Sequence, residues 1–192
     1  MKTAVVTGGA GGLGRALTRA LLVEDWQVAV LDLPGAELDA TAAPNVRTYV
    51  CDVTDAAAIE RACDAVRRDH ASIDLVIYNA GISQIGLFSE TPLPVHRRVI
   101  EINYFGAVNV CAALLPDVRK SQGVHVAISS VAGFAPLHRR TAYSASKHAM
   151  EGFFRTLREE EREHGVEHCG SGVCPEGRTY CRFGNSRRIV GQ

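Results

Sequence analysis

The chain has 192 residues, 46% of them hydrophobic and 22% charged, which is the composition of one ordinary globular domain. Lys+Arg and Asp+Glu balance at 21 each, which argues against a nucleic-acid groove or a strongly charged partner. No uninterrupted apolar run approaches the roughly 20 residues of a membrane span, and no basic-then-apolar leader precedes Thr3, so a cytoplasmic protein without a membrane partner is expected.

Strand-like and helix-like segments alternate along the chain. Thr3-Ala4-Val5-Val6-Thr7 reads as a buried strand, followed by a glycine-rich turn. Residues 13–24 read as a helix with Leu13, Ala16, Leu17, Ala20 and Leu21 on one face. Apolar runs at 27–31 and 46–51 end at Asp32 and Asp52 and read as the second and third strands. Asp55 is placed to cap a helix reaching about residue 70, with Ile59, Ala62, Cys63 and Val66 inward. A fourth strand at 73–78 closes with Asn79-Ala80-Gly81, and a long helix covers 94–118. A fifth strand at 124–128 closes with Ser129-Ser130, and another long helix covers 142–164. Short apolar strands separated by long helices predict right-handed βαβ units and a parallel sheet. Cys51, Cys63 and Cys111 fall in apolar segments and read as small core residues.

The turn Thr7-Gly8-Gly9-Ala10-Gly11-Gly12-Leu13-Gly14 joins the first strand to the first helix. Its glycines permit a close backbone approach to a pyrophosphate, and the helix start supplies unpaired N–H groups and a favourable dipole. Two registers fit: Gly9, Gly11 and Gly14 match G-x-G-x-x-G, whereas Thr7, Gly8, Gly12 and Gly14 match T-G-x-x-x-G-x-G. Asp32 lies 18 residues beyond Gly14, where a carboxylate accepts hydrogen bonds from ribose hydroxyls and repels a 2′-phosphate. NAD is therefore favoured over NADP.

Tyr143-Ser144-Ala145-Ser146-Lys147 places a phenol and an ammonium four residues apart, on one helix face. A neighbouring ammonium favours the phenolate, which suits a phenol to passing a proton to or from a carbonyl oxygen. Ser130 ends the fifth strand 13 residues earlier, with a hydroxyl for the reacting oxygen. Asn103 is a polar amide in an apolar stretch, read either as a satisfied core residue or as the holder of a relay water behind Lys147.

Taken together, the glycine turn, Asp52-Val53, Asn79-Ala80-Gly81, Asn103, Ser130 and the Tyr143/Lys147 pair resemble the short-chain dehydrogenase/reductase family in order and spacing over about residues 1–165. The resemblance implies an α/β fold, a doubly wound parallel (Rossmann) sheet in a three-layer α/β/α sandwich. It implies Tyr143 as general acid/base, Lys147 on the nicotinamide ribose, Ser130 on the substrate oxygen and Asn103 at a relay water. Thr7, Gly8, Gly12, Leu13 and Gly14 would cradle the cofactor, Asp52 and Val53 would contact adenine, and Asn79, Ala80 and Gly81 would form the floor. It further implies a ketone or secondary-alcohol substrate and a homodimer or homotetramer pairing the helices at 94–118 and 142–164.

The family continues with a sixth strand ending in Pro-Gly, a substrate helix and a seventh strand. Here His168-Cys169-Gly170-Ser171-Gly172 dilutes the sixth strand and Glu176 splits Pro175 from Gly177. The expectation is a doubtful sixth strand, a missing seventh, and a domain of 1–165 followed by a divergent tail, 166–192. Three readings of that tail stay open: a divergent or frame-altered end, an unusual substrate cover, or zinc held by His164, His168, Cys169, Cys174 and Cys181. The spacing lacks paired C-x-x-C elements, and no metal is expected. An altered end leaves a second functional reading, a module that binds a dinucleotide without turning over substrate.

Overall fold

A computed structural model describes residues 1–36 and 44–166, and the backbone of 167–170, 172–173, 179–183 and 186–189. Strands β1 (Thr3–Thr7), β2 (Gln27–Asp32), β3 (Val46–Val50), β4 (Leu75–Tyr78), β5 (Val124–Ala127) and β6 (Glu167–Gly170) form one sheet in the order β3-β2-β1-β4-β5-β6. Every pairing in it is parallel. The sixth strand, doubtful in the sequence, forms and runs in register with β5, Val124 opposite Glu167. The parallel sheet ends there among the described residues. The short strands β7 (Gly172–Val173), β8 (Thr179–Phe183) and β9 (Ser186–Ile189) make a separate antiparallel sheet. Of the proposed zinc ligands, Cys174 lies outside the described residues, as does the Pro175–Gly177 pair, and His168, Cys169 and Cys181 are described in backbone alone.

A parallel sheet buried on both faces needs strands that are apolar on both. All five residues of β1 are buried, and successive side chains serve opposite cores. Val5 packs with Ala29, Leu31 and Val76 under α2 (Ala56–Asp69), α4 (Gly106–Ser121) and α5 (Thr141–Glu160). Ala4 and Val6 pack with Val28, Val30 and Ile77 under α1 (Gly12–Val23). Asp55 caps α2 as expected, its carboxylate accepting from Ala57 N at 2.9 Å, and Ile59, Ala62, Cys63 and Val66 are buried. Cys51, Cys63 and Cys111 are buried free thiols.

Three details differ from the sequence reading. The inward face of α1 is Gly14, Leu17, Thr18 and Leu21, whereas Leu13, Ala16 and Ala20 are exposed, Leu13 at a crevice beyond the strand ends. The long second-half helix is not one regular rod. It runs as α3 (Leu93–Ile100), a π turn (Glu101–Phe105) and α4, and the extra residue of the π turn carries the buried Asn103. Such π turns recur at functional sites. Finally, the helical stretch Leu93–Ser121 is long and apolar enough to cross a membrane by length and composition, with a mean hydropathy of 1.5 in its best window. Its apolarity has a source in the core: Val99, Val110, Leu114 and Val118 are fully buried against the rest of the domain.

Candidate active site

The order of the sheet reverses direction at β1, with β2 on one side and β4 on the other. In open α/β sheets the crevice for ligands lies beyond the strand ends at such a point. A cavity of about 730 Å³ occupies it here. Its lining includes the predicted Gly8, Gly12, Leu13 and Gly14 of the turn and Asp32 at the end of β2. Asp52, Val53, Asn79, Ala80 and Gly81 complete the predicted set. Thr7 is buried just behind the wall. Its hydroxyl oxygen accepts from Asn79 N and Ala80 N, both at 3.0 Å, and so ties the end of β4 to the end of β1. Asn79 returns the tie, its Nδ2 donating to Thr7 O at 3.1 Å and Gly8 O at 3.0 Å.

Two glycines are dictated by this geometry. Gly8 has φ +64°, the left-handed region that side chains disfavour. A Cβ on Gly14 would lie 2.1 Å from Gly8 O and 2.6 Å from Asn79 Nδ2. The backbone at Gly12 faces open space. The N-cap of α1, Gly11, makes no side-chain cap bond, and the first turn carries no acidic residue. The first amides of α1 and the positive end of its dipole are thus left for an anion. Asp32 sits beside them, with Oδ2 accepting from Ala10 N at 2.9 Å and Oδ1 from Leu33 N at 2.8 Å. Asp52 accepts from Thr54 N at 2.9 Å and from the Thr54 hydroxyl at 2.7 Å, which folds the loop after β3 over the cavity. Anion-receptive amides, a carboxylate at ribose distance along the chain and an apolar Val53 wall are the donor set a dinucleotide needs, and the residues present fit one.

The chemical residues gather on the β4–β5 side. α5 brings Tyr143 and Lys147 onto one face, with the Lys147 Nζ 5.8 Å from the centre of the Tyr143 ring. Lys147 is 5% exposed, and its ammonium donates to Ile128 O at 2.7 Å. Burial pushes its pKa down to about 8, against a smaller opposing pull from Glu151. Ser130 opens a short turn at the end of β5 and its Oγ accepts from Ala132 N at 3.2 Å. The amide thereby orients the oxygen and leaves the hydroxyl proton available to a ligand.

Asn103, wholly buried, is a satisfied amide. Oδ1 accepts from Ile82 N at 2.8 Å, while Nδ2 donates to Ile82 O and to Ser146 Oγ, both at 3.0 Å. A relay water would have to use the second lone pair of Oδ1. Ser130, Tyr143, Lys147 and Asn103 lie outside the cavity wall itself; Ile82, which Asn103 grips, belongs to that wall and joins the two halves of the site. Sequence reasoning missed Ile82, Thr54 and Ser146. Ser146 carried a signal, as a second hydroxyl inside the Tyr143–Lys147 spacing with its own buried partner to find.

The sequence model of the short chain dehydrogenase family matches residues 2–177. The chain belongs to that family. It is 39% identical over 176 residues to dehydrogenase/reductase SDR family member 7B of Bos taurus, covering 85% of this chain and 54% of the relative. A short-chain dehydrogenase from Streptomyces avermitilis superposes with a TM-score of 0.83 at 31% identity, covering 88% of this chain and 64% of that one. The KRED1-Pglu enzyme superposes with a TM-score of 0.80 at 27% identity, over 91% and 75% of the two chains. The chain spans about half the length of the curated relative named here.

Proposed function

We propose that the chain is a nicotinamide-dependent oxidoreductase acting on a ketone and its secondary alcohol, with NAD preferred and Tyr143 as general acid/base. The observation that carries this reading is the pairing of Tyr143 with the buried Lys147 on one face of α5, beside a crevice whose glycine turn fits a dinucleotide. A bound nicotinamide supplies or accepts the hydride. The protein's part is proton transfer and orientation. Tyr143 gives its proton to the carbonyl oxygen in reduction and takes it from the alcohol in oxidation. Ser130 donates its free hydroxyl proton to the same oxygen. Lys147, anchored on Ile128 O, keeps a cation beside the phenol and offers its remaining N–H groups to a ribose. Asn103 acts as a positioning residue, holding Ile82 at the edge of the crevice and Ser146 on α5. The names of the dehydrogenase and reductase relatives support the reaction class.

Steady-state assays of secondary alcohols and ketones test the reading. Tyr143→Phe is expected to lower kcat by about 10²- to 10⁴-fold with cofactor affinity retained; a variant as fast as the parent would refute the proton-transfer role. A second reading, dinucleotide binding without turnover, is favoured by one feature. Among the described residues, the elements after β6 are the short antiparallel strands β7–β9, with no helix. Calorimetric NAD binding with no turnover of any substrate would support it.

A further inference from the structure

The segment between β5 and α5 carries His138, Arg139 and Arg140 in succession, immediately before the helix that presents Tyr143. Arg139 holds φ +62°, a left-handed conformation uncommon outside glycine, and its carbonyl accepts from Gly86 N at 3.0 Å. That bond fastens the segment to the loop following Asn79-Ala80-Gly81-Ile82. The left-handed residue also fixes the direction in which Arg140 leaves the chain.

Arg140 is half-buried, and its Nη1 donates to the hydroxyl of Ser83, the residue next to Ile82. Its guanidinium carbon lies 5.8 Å from the centre of the Tyr143 ring. Tyr143 thus has two cations near its ring, Lys147 from its own helix face and Arg140 from the residue that precedes α5. Lys147 is buried and anchored inward; Arg140 is at the open side. Among the described residues no carboxylate pairs with Arg140, although Arg47, Arg67, Arg119 and Arg155 each have one. A guanidinium has five N–H donors in a rigid fork that matches a carboxylate, and Ser83 engages one of its nitrogens. The two loops joined at Gly86 also expose Ile85, Leu87 and Leu137, by 68%, 40% and 40%. The loops beside Tyr143 therefore combine exposed apolar surface with one pre-oriented cation.

We propose that Arg140 is a specificity-determining residue that binds a carboxylate carried by the substrate, so that the preferred substrates are oxo acids or hydroxy acids with an apolar body. This inference rests on the oxidoreductase reading and deepens it. Ser83 acts as the tether that holds the guanidinium fork beside Tyr143.

The test compares levulinate and its one-carbon-longer homologue with their methyl esters, which share the reacting ketone and lack the charge. The wild-type protein is expected to favour the acids in kcat/KM. Arg140→Gln is expected to lower the acid-to-ester ratio about 10- to 100-fold, the scale of one charge-assisted interaction. Arg140→Lys should fall between them, because an ammonium keeps the charge and loses the fork. Ser83→Ala, on an exposed loop, should lower the ratio in the same direction. An unchanged ratio in both Arg140→Gln and Ser83→Ala overturns the proposal. Loss of ester turnover in Tyr143→Phe reads the oxidoreductase assignment separately. Where no ester or acid turns over, saturation-transfer NMR with levulinate and NAD present decides for Arg140. Binding that disappears in Arg140→Gln upholds the proposal, and binding equal to the parent's overturns it.

Discussion

Lys147 is held at the site against its own electrostatic preference. Its ordinary pKa of 10.5 falls to about 8 because the ammonium is buried. Below about pH 8 the folded protein must carry that buried charge, and its cost is fully present. Between about 8 and 10.5 the folded state releases the proton while the unfolded chain keeps it, so stability recovers as pH rises. The unfolding free energy of the parent minus that of Lys147→Met is expected to rise by about 1.4 kcal/mol per pH unit in that window. Denaturant titrations at successive pH values measure it, and a flat difference would show that the ammonium is not desolvated. Asp32 illustrates the opposite use of charge. Its carboxylate is fixed on the amides of Ala10 and Leu33 at the crevice, where the proposed NAD preference would set it against a 2′-phosphate. Like charges brought together cost several kcal/mol, so Asp32→Ala should lower the NAD-to-NADP ratio of kcat/KM by at least about tenfold. Paired assays with the two cofactors check this.

At the scale of elements, the strand ends are bound to one another before any ligand arrives. Thr7 and Asn79 lock β1 to β4, and Gly14 lets α1 start directly above Gly8. Gly14→Ala would set a methyl 2.1 Å from a backbone oxygen, so the turn or the helix must move. The expected result is a loss of dinucleotide affinity of about tenfold or more together with about 1–3 kcal/mol of stability. Calorimetry and thermal unfolding on the same sample separate the two, and an Ala variant with parental affinity would show that the helix start does not carry the phosphate. Much of this level was legible in the sequence. Buried strands announced themselves as short apolar runs, and Asp55 marked a helix start because an acidic side chain there has an amide to accept from. The π turn at Glu101–Phe105 was not legible as such. Its one trace was a polar Asn103 in an apolar stretch, since a single added residue leaves the hydrophobic period nearly intact. The face of α1 is legible in Leu17 and Leu21, which are buried, but not in Leu13, Ala16 and Ala20: alanines read as core formers, and Leu13 borders the crevice.

At the scale of the molecule, site residues far apart in sequence converge because the parallel sheet brings the ends of β1, β2, β4 and β5 to one edge. This is why motifs were readable singly and their contacts were not. The Arg140–Ser83 bond joins residues 57 apart and the Asn103–Ser146 bond residues 43 apart, and no local pattern specifies either. The same convergence puts Ile82 in the crevice wall and ties it through Asn103 to Ser146, the neighbour of Lys147 on α5. In the proposed enzyme these two halves work as one catalyst. Incubating the protein and NAD with a secondary alcohol deuterated at its carbinol carbon, and weighing the recovered cofactor, tests that claim directly. Deuterium is expected in the reduced cofactor with the parent protein, and little or none with Tyr143→Phe. Unlabelled cofactor across a panel of such alcohols, from a protein that nonetheless binds NAD, would contradict it.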